Sequence, residues 1–506
     1  MPINKVMDSV GNTLIDLTDD TITPDKVLQG YTFHDRSGSR QTGILESVPI
    51  GRTSNFSEDN VVRFIDYDGE IVAEYSIAEA NALTELPTPP SHERLIFEKW
   101  NHTLQEVQQT THSLCVGALY NTVDNATYIE FFLSAGYINS GSTLYFKTGS
   151  SVNGNITIDW GDGTVETKSV TSANSNVNYN HIYISCGKYV IKITNDDDID
   201  IWLYFARSGN RAISNLQQVY EINFAKWQGA VTSQTSSIRA NESIIFSGFS
   251  SLQKFSIPST CVFSFTDFTY QCFGGLKCII VPNGFNGVQS TNSYGSNTIK
   301  YVSIPRVMYF SSTEPSFAGT AFGYNVKSVI YPDSYIKKST GDESDSVTIE
   351  ILFTQGSSCE YIYLPEKNIK SLNINFCNNL KKISNLNRVV SISNFTSLYS
   401  LEEEIIDFSN ITSNFFNMSN WTHQFKNVKI VKLSSNIQSI QFSQSLCHFE
   451  CLDLSTIETP PTLSSLTPNS INFKIKVMHG TLSLYAAATN WSTLYAYELL
   501  EEATEW

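Results

Sequence analysis

The sequence predicts a mainly β, multidomain chain that ends in a solenoid of short repeats. Three observations carry this reading. An apolar motif recurs in the second half, starting at residues 252, 276, 299 and 326, which lie 24, 23 and 27 apart. Charged residues make up only 16% of the chain and aromatics 12%, and the rest is rich in Ser, Asn and Thr, the palette of short strands and turns. Period-2 alternation leads into tight Gly-rich turns, as in Asn155–Thr164. At roughly 100–200 residues per domain, 506 residues allow three to five domains. The expected divisions are a helix-hairpin module over 1–45, a small α+β domain over 56–125, a β-sandwich over 126–196 and the solenoid over 205–506.

Residues 1–45 open with a helix start at Thr23-Pro24-Asp25, which supplies an N-cap, a first-turn proline and an acid for the helix dipole. Gly30 stops the helix, and Tyr31–Phe33 and Arg40–Thr42 flank a turn as a hairpin. So few apolar residues cannot form a stable core alone. The module is therefore expected to dock on another chain or on a copy of itself. His34 reads as a turn residue, since no nucleophile or acid partner accompanies it.

Within 56–125, Val61–Ile65 and Ile71–Tyr75 read as strands joined by Asp66-Tyr67-Asp68-Gly69, a hairpin turn rather than a calcium loop, whose remaining ligands do not follow. Ser76–Glu79 and Thr103–Glu106 are capping boxes that open short helices.

Within 126–196, the alternating Ile156, Ile158 and Trp160 run into Gly161-Asp162-Gly163-Thr164, and His181, Tyr183, Gly187 and Tyr189 follow. The structural reading sets Trp160 between two sheets, lets Gly161 and Gly163 take positive φ and uses Asp162 to cap the turn. Calcium at Asp159 and Asp162 is the weaker reading, since two carboxylates fall far short of the roughly 6–8 oxygens calcium takes.

The repeat places apolar residues at its first, fourth and sixth positions and proline at its seventh, as in Val326-Lys-Ser-Val329-Ile-Tyr331-Pro332. Copies continue at Cys359–Pro365 and, without the proline, at Ile369, Leu380, Val428 and Phe449. A period of roughly 20–29 residues with this pattern is that of an irregular leucine-rich repeat solenoid, in which stacking closes a core that one repeat cannot. Leu482–Trp506 carries Tyr485, Trp491 and Leu494 at helical spacing and is expected to cap the last repeat.

Composition also excludes functions. A net charge of −16 without a basic block argues against nucleic acid or an anionic membrane as the main partner. The acidic, interrupted opening residues are not those of a secretion signal, and no apolar run approaches the roughly 20 residues of a membrane helix. Nine cysteines spread from Cys115 to Cys451 make a poor disulfide framework, and Cys447, His448 and Cys451 lack the second pair that a zinc site needs. They read as small buried hydrophobes in a reduced compartment. No His-Glu-x-x-His, Gly-x-Ser-x-Gly or phosphate-loop motif occurs, so no enzyme, catalytic residue, metal or cofactor is expected. A glycosidase acid pair carries no sequence signature and stays open. Ligand contacts are expected at exposed-looking residues between the core positions of the solenoid: Tyr324, Asn325, Tyr361 and Tyr363, with Tyr294 beside them. Tyrosine rings stack on sugars, and amides bond their hydroxyls.

Three stretches resemble known families. Gly11–Thr18, Thr23–Asp35, Gly38 and Thr42-Gly43 resemble a short module at the ends of tail and tail-fibre proteins of phages and prophages of Gram-positive bacteria. Asp159–Thr164, His181, Tyr183 and Gly187 look like the signature of the polycystic kidney disease (PKD) type of immunoglobulin-like sandwich. The repeats ending in Ile-Pro resemble those of bacterial surface proteins and phage fibre tips. These resemblances imply a receptor-binding or fibre protein of the virion tail, made in the bacterial cytoplasm. It would join other tail proteins through 1–45, bind a host glycan or wall polymer through the solenoid, and form a homo-oligomer, with a trimer expected. The alternatives are a bacterial cell-surface adhesin and a polysaccharide-degrading tailspike.

Overall fold

The computed structural model describes residues 5–7, 13–16, 23, 32–37, 39–42, 56–135, 143–150, 153–171, 177–195, 201–204, 219–225, 251–259, 275–282, 298–310, 315–322, 325–337, 339–353, 358–375, 379–395, 400–417, 427–442, 449–464 and 471–504. The chain divides into two compact units, Met1–Ser54 and Asn55–Trp506.

In the first unit, Lys5–Met7 pairs antiparallel with Thr13–Asp16. Thr32–His34 and Arg40–Thr42 form the expected hairpin. Asp35 organises its turn by accepting from the backbone N–H groups of Ser37 and Ser39, at 2.9 and 3.1 Å, and from the Gln41 amide. The helix expected from Pro24 onward lies outside the described residues.

The second unit holds the three expected divisions 56–125, 126–196 and 205–506 together. Residues 56–125 form a four-stranded sheet in the order Ile71–Tyr75, Val62–Ile65, Leu114–Thr122, Leu95–Trp100. Both capping boxes are made, at Ser76/Glu79 and Thr103/Glu106. This sheet has its own core around Phe64, Trp100 and Tyr120.

The next residues form a sandwich. One sheet orders Val177–Ile182, Thr143–Ser150, Ile201–Tyr204. The other orders Val165–Val170, Gly154–Asp159, Gly187–Asn195, Thr127–Leu133, Val219–Asn223, Lys254–Ser256. Its last strand, which pairs parallel with Val219–Asn223, belongs to the first solenoid repeat. The sandwich and the solenoid therefore share a sheet and a core that runs from Ile65 to Leu500, rather than meeting across a spacer.

The C-terminal region is a β-solenoid. Six consecutive turns each place a short strand on a first face, beginning at Ser328–Ile330, Tyr361–Tyr363 and Lys382–Ser384 and continuing at Ile405–Phe408, Ile430–Leu433 and Cys451–Leu454. A second strand of each turn lies in another sheet, from Ser346–Phe353 to Thr462–Leu463. Neighbouring turns pair in parallel and in register, except between Lys382–Ser384 and Ile405–Phe408, where the first face passes from one sheet to the next. The first, fourth and sixth positions are buried, as in Val326, Val329 and Tyr331, because pleating turns alternate side chains inward.

The expected C-terminal cap is two short helices, Leu482–Ala487 and Trp491–Ala496, with Tyr485, Trp491 and Leu494 buried. Asn490, at φ +66°, separates them. A final strand, Leu500–Glu502, returns to the first face and pairs with Lys474–Val477, so the cap ends as another rung.

Candidate functional site

The sandwich motif closes on itself. Trp160 is 1% exposed, its carbonyl accepts from the Tyr183 hydroxyl at 2.9 Å, and the His181 ring stacks on it at 4.8 Å. Asp159 accepts from the Gly161 N–H, and Asp162 accepts from the Thr164 N–H and meets His181 Nε2 at 2.7 Å. Gly161 and Gly163 both sit at positive φ, and a side chain at Gly161 would strike the Val190 carbonyl. Burial pushes the Asp162 carboxyl up, but hydrogen bonds from His181 and Thr164 outweigh it and hold the group below its usual value. The structure thus brings Asp159, Trp160, Gly161, Asp162, Gly163, His181 and Tyr183 together as a network of turn and core contacts. Among the described residues, no group of three or more His, Cys, Asp or Glu side chains is arranged to hold a metal ion.

The expected ligand residues separate. Tyr294 and Tyr324 lie outside the described residues. Tyr361 and Tyr363 are not exposed; they are 7% and 4% accessible, because residues 56–125 lie across the first rungs of the ladder. Tyr363 stacks on His112 at 4.8 Å. Two rungs earlier, Ser303 Oγ donates to the Cys115 carbonyl at 2.7 Å, and the Asn101 amide donates to Ser303 Oγ at 2.9 Å. Gly117 faces Ile280 so closely that an added Cβ would come within 2.5 Å of it. Asn325 is exposed, on the rim of a cavity of about 370 Å³ beside Arg63, Tyr301 and Lys327.

Sequence reasoning also missed how the solenoid spends its polar residues. Asparagine side chains bond carbonyls one turn back: Asn385 to Leu364 at 2.7 Å, Asn436 to Ile411 at 3.2 Å and Asn490 to Leu463 at 2.7 Å. These amides satisfy buried carbonyls at the corners and are part of the scaffold. Charges at the second repeat position alternate along the spine as Lys327, Glu360, Lys381 and Glu402. Glu360 pairs with Lys327 at 3.4 Å and Lys381 at 2.7 Å. This column carried a signal that spacing alone exposes: alternating signs at one repeat position.

A groove of about 470 Å³ lies at the corner after the first-face strands of three late turns. The corner turns are alike, since the N–H groups of Ile411, Ile437 and Ile457 donate to the carbonyls of Phe408, Ser434 and Leu454. Stacking these turns lines up Thr412 and Asn414, then Ser435 and Gln438, then Glu458 and Thr459, with Ile437, Ile457 and Pro461 beneath. Asn414 and Gln438 are exposed, and neither side chain makes a hydrogen bond to another described residue. Glu458 is the one carboxylate among the described lining residues.

Acids do face one another in a different cavity, of about 410 Å³, where 56–125, the sandwich and the first repeat meet. Glu130 and Glu221 are register partners on neighbouring strands. Glu130 is held by Arg94 at 2.8 Å and by Lys188, and Glu221 accepts from Tyr67 at 3.1 Å and Asn223 at 2.9 Å. Each carboxylate is tied into the junction of the lobes.

No family model, curated protein or solved structure matches the chain. The fold itself defines the class: a mainly β protein with a repeat-built β-solenoid.

Proposed function

We propose that this chain is a tail receptor-binding or fibre protein of a phage or prophage of Gram-positive bacteria. Its solenoid binds a glycan or wall polymer of the bacterial surface without cleaving it. In this reading the sandwich is PKD-like and the repeats are of the leucine-rich kind. Residues 1–45 attach the protein to the virion, a role supported by the separate compact unit that contains them.

The observation that carries the reading is the corner groove. It is built from stacked turns, and it offers amides and hydroxyls beside Ile437, Ile457 and Pro461. That is the chemistry of a polyhydroxylated polymer: hydroxyls find donors and acceptors, and the sugar's apolar faces rest on Ile437, Ile457 and Pro461. Glycoside hydrolysis commonly needs two carboxyl groups across the bond. With the single acid Glu458 among its described lining residues, the groove is better suited to holding such a polymer than to cutting it.

The test incubates purified protein with wall polysaccharide from Gram-positive cells and follows retention and released reducing ends. Retention without release is the expected outcome. Steady release would replace this reading with the polysaccharide-degrading tailspike, and failure to retain any wall fraction would remove the surface-binding role.

A further inference from the structure

The late rungs of the first face carry an ordered charge pattern that the fold leaves unused. At the fifth repeat position, Asp407, Lys432, Asp453, Lys476 and Glu501 are register partners on successive strands. The first four are half-buried, Glu501 is exposed, and none makes an ion pair with another described residue. At the third position, Ile405, Ile430 and Cys451 form an apolar stripe beside them, with Ile405 51% exposed. The spine charges one column away do pair, as Lys429 does with Glu404 at 2.6 Å. The fifth-position column is therefore unlike the spine, although both alternate in sign.

We infer that this face pairs with the same face of a second copy of the chain, across a two-fold axis that runs parallel to the strands between Ile430–Leu433 and Cys451–Leu454. The argument is charge complementarity. Reversing the order Asp, Lys, Asp, Lys gives Lys, Asp, Lys, Asp, so the first four positions are their own complement under that rotation, and Glu501 falls beyond them. Asp407 then faces Lys476 of the other copy, and Lys432 faces its Asp453. Moving the axis by half a rung, onto Cys451–Leu454, sets Lys432 against Lys476 and Asp453 against itself, so the charges exclude that register. A whole-rung shift sets Lys432 against Glu501 and Asp453 against Lys476, and the double variant K432D/D453K separates it from the register with Lys432 against Asp453. The stripe supplies an apolar centre, with Ile430 against Cys451, and at its ends Ile405 faces the stem of Lys474. Such an isologous contact closes on itself as a dimer. It is a two-fold contact, whereas the trimer expected from the sequence would need a different face.

The patch is small. Four rungs at about 4.8 Å and strands of about 13 Å give roughly 250 Å² in projection per copy, which places the pair among weak, concentration-dependent contacts. The corner groove lies on a different side of the same turns, so pairing leaves two grooves open. A repetitive polymer would then be bound by both at once, with a gain in avidity. The inference stands on the charges alone and does not depend on what the groove binds.

Sedimentation equilibrium of the whole chain tests it, at low and high salt, with melting temperature as the check on folding. The expected result is a reversible monomer–dimer equilibrium that weakens with salt. Lys432→Asp and Asp453→Lys should each weaken it at least tenfold, because each sets like charges across the axis twice. The double variant K432D/D453K restores opposite charges and should return to within about threefold of the parent. A monomer at every concentration overturns the inference. So does a dimer that ignores the single variants, or a double variant that stays as weak as the singles while its melting temperature is normal.

Discussion

The rungs from Lys254–Ser256 to Tyr361–Tyr363 and those from Lys382–Ser384 to Leu500–Glu502 differ at the same two repeat positions. In the early rungs the third and fifth positions hold Cys278, Ile280, Tyr301, Ser303, Tyr361 and Tyr363, and residues 56–125 lie on them. In the late rungs the same positions hold Ile405, Asp407, Lys432, Asp453 and Lys476, half-buried or exposed. The strands pair in parallel in both, in successive sheets. The chain thus uses the same repeat positions twice, once to hold its own domain and once to present charge. The lesson is that a repeat's inward positions set the fold, while its outward positions record what lies on top.

The largest expected effect comes from testing that cover. Tyr363→Ala empties a buried aromatic site and removes the stack on His112, and should cost about 3–5 kcal/mol in chemical denaturation. Ile405→Ala, on the same face in the open half, should cost about 0.5 kcal/mol or less. Equal losses at the two sites would erase the distinction.

A smaller effect sits at the seam between the halves. Before Ile405–Phe408 the spine carries two extra residues: Glu402 N–H donates to the Lys381 carbonyl, whereas Glu404 takes the next spine contact, accepting from Lys429 and Ile430. Glu403, between them, is half-buried, and burial pushes its carboxyl up to about 7 against a backbone hydrogen bond from Ile383 and the Lys382 charge. The folded chain therefore holds this proton more tightly than the unfolded chain, whose carboxyl lies near 4.5. That stabilisation is complete below about pH 4.5 and is lost as pH rises through about 7. Glu403→Gln should add about 2 kcal/mol at pH 8 and almost nothing at pH 4.5. A gain that is the same at both values would show that titration of Glu403 is not its cause.

Much of this division was open to sequence reading, and part of it was not. The solenoid was legible because Val326, Val329 and Tyr331 and their equivalents repeat at fixed spacing, and pleating alone decides that they turn inward. The capping boxes and the Asp159–Thr164 turn were legible because their hydrogen bonds are local. The burial of Tyr361 and Tyr363 was not, since it depends on His112 and the strand Leu114–Thr122, more than two hundred residues earlier. The sheet shared by sandwich and solenoid was hidden for the same reason: nothing near Val219–Asn223 says that Thr127–Leu133 will be its neighbour. The role of Asn436 was not legible, because an amide reads the same whether it faces a sugar or the Ile411 carbonyl. The groove of Thr412 to Pro461 appears only when three separate turns are stacked.

In the proposed function, recognition belongs to the late turns, and the early ones are structural. Affinity for soluble wall polysaccharide, measured by calorimetry on the parent, on N414A/Q438A and on N325A, tests it most directly. The groove variant should lose at least tenfold in affinity, about 1.4 kcal/mol, with its melting temperature unchanged, and N325A should stay within about twofold of the parent. A groove variant that binds as well as the parent, with binding lost in N325A instead, would contradict it.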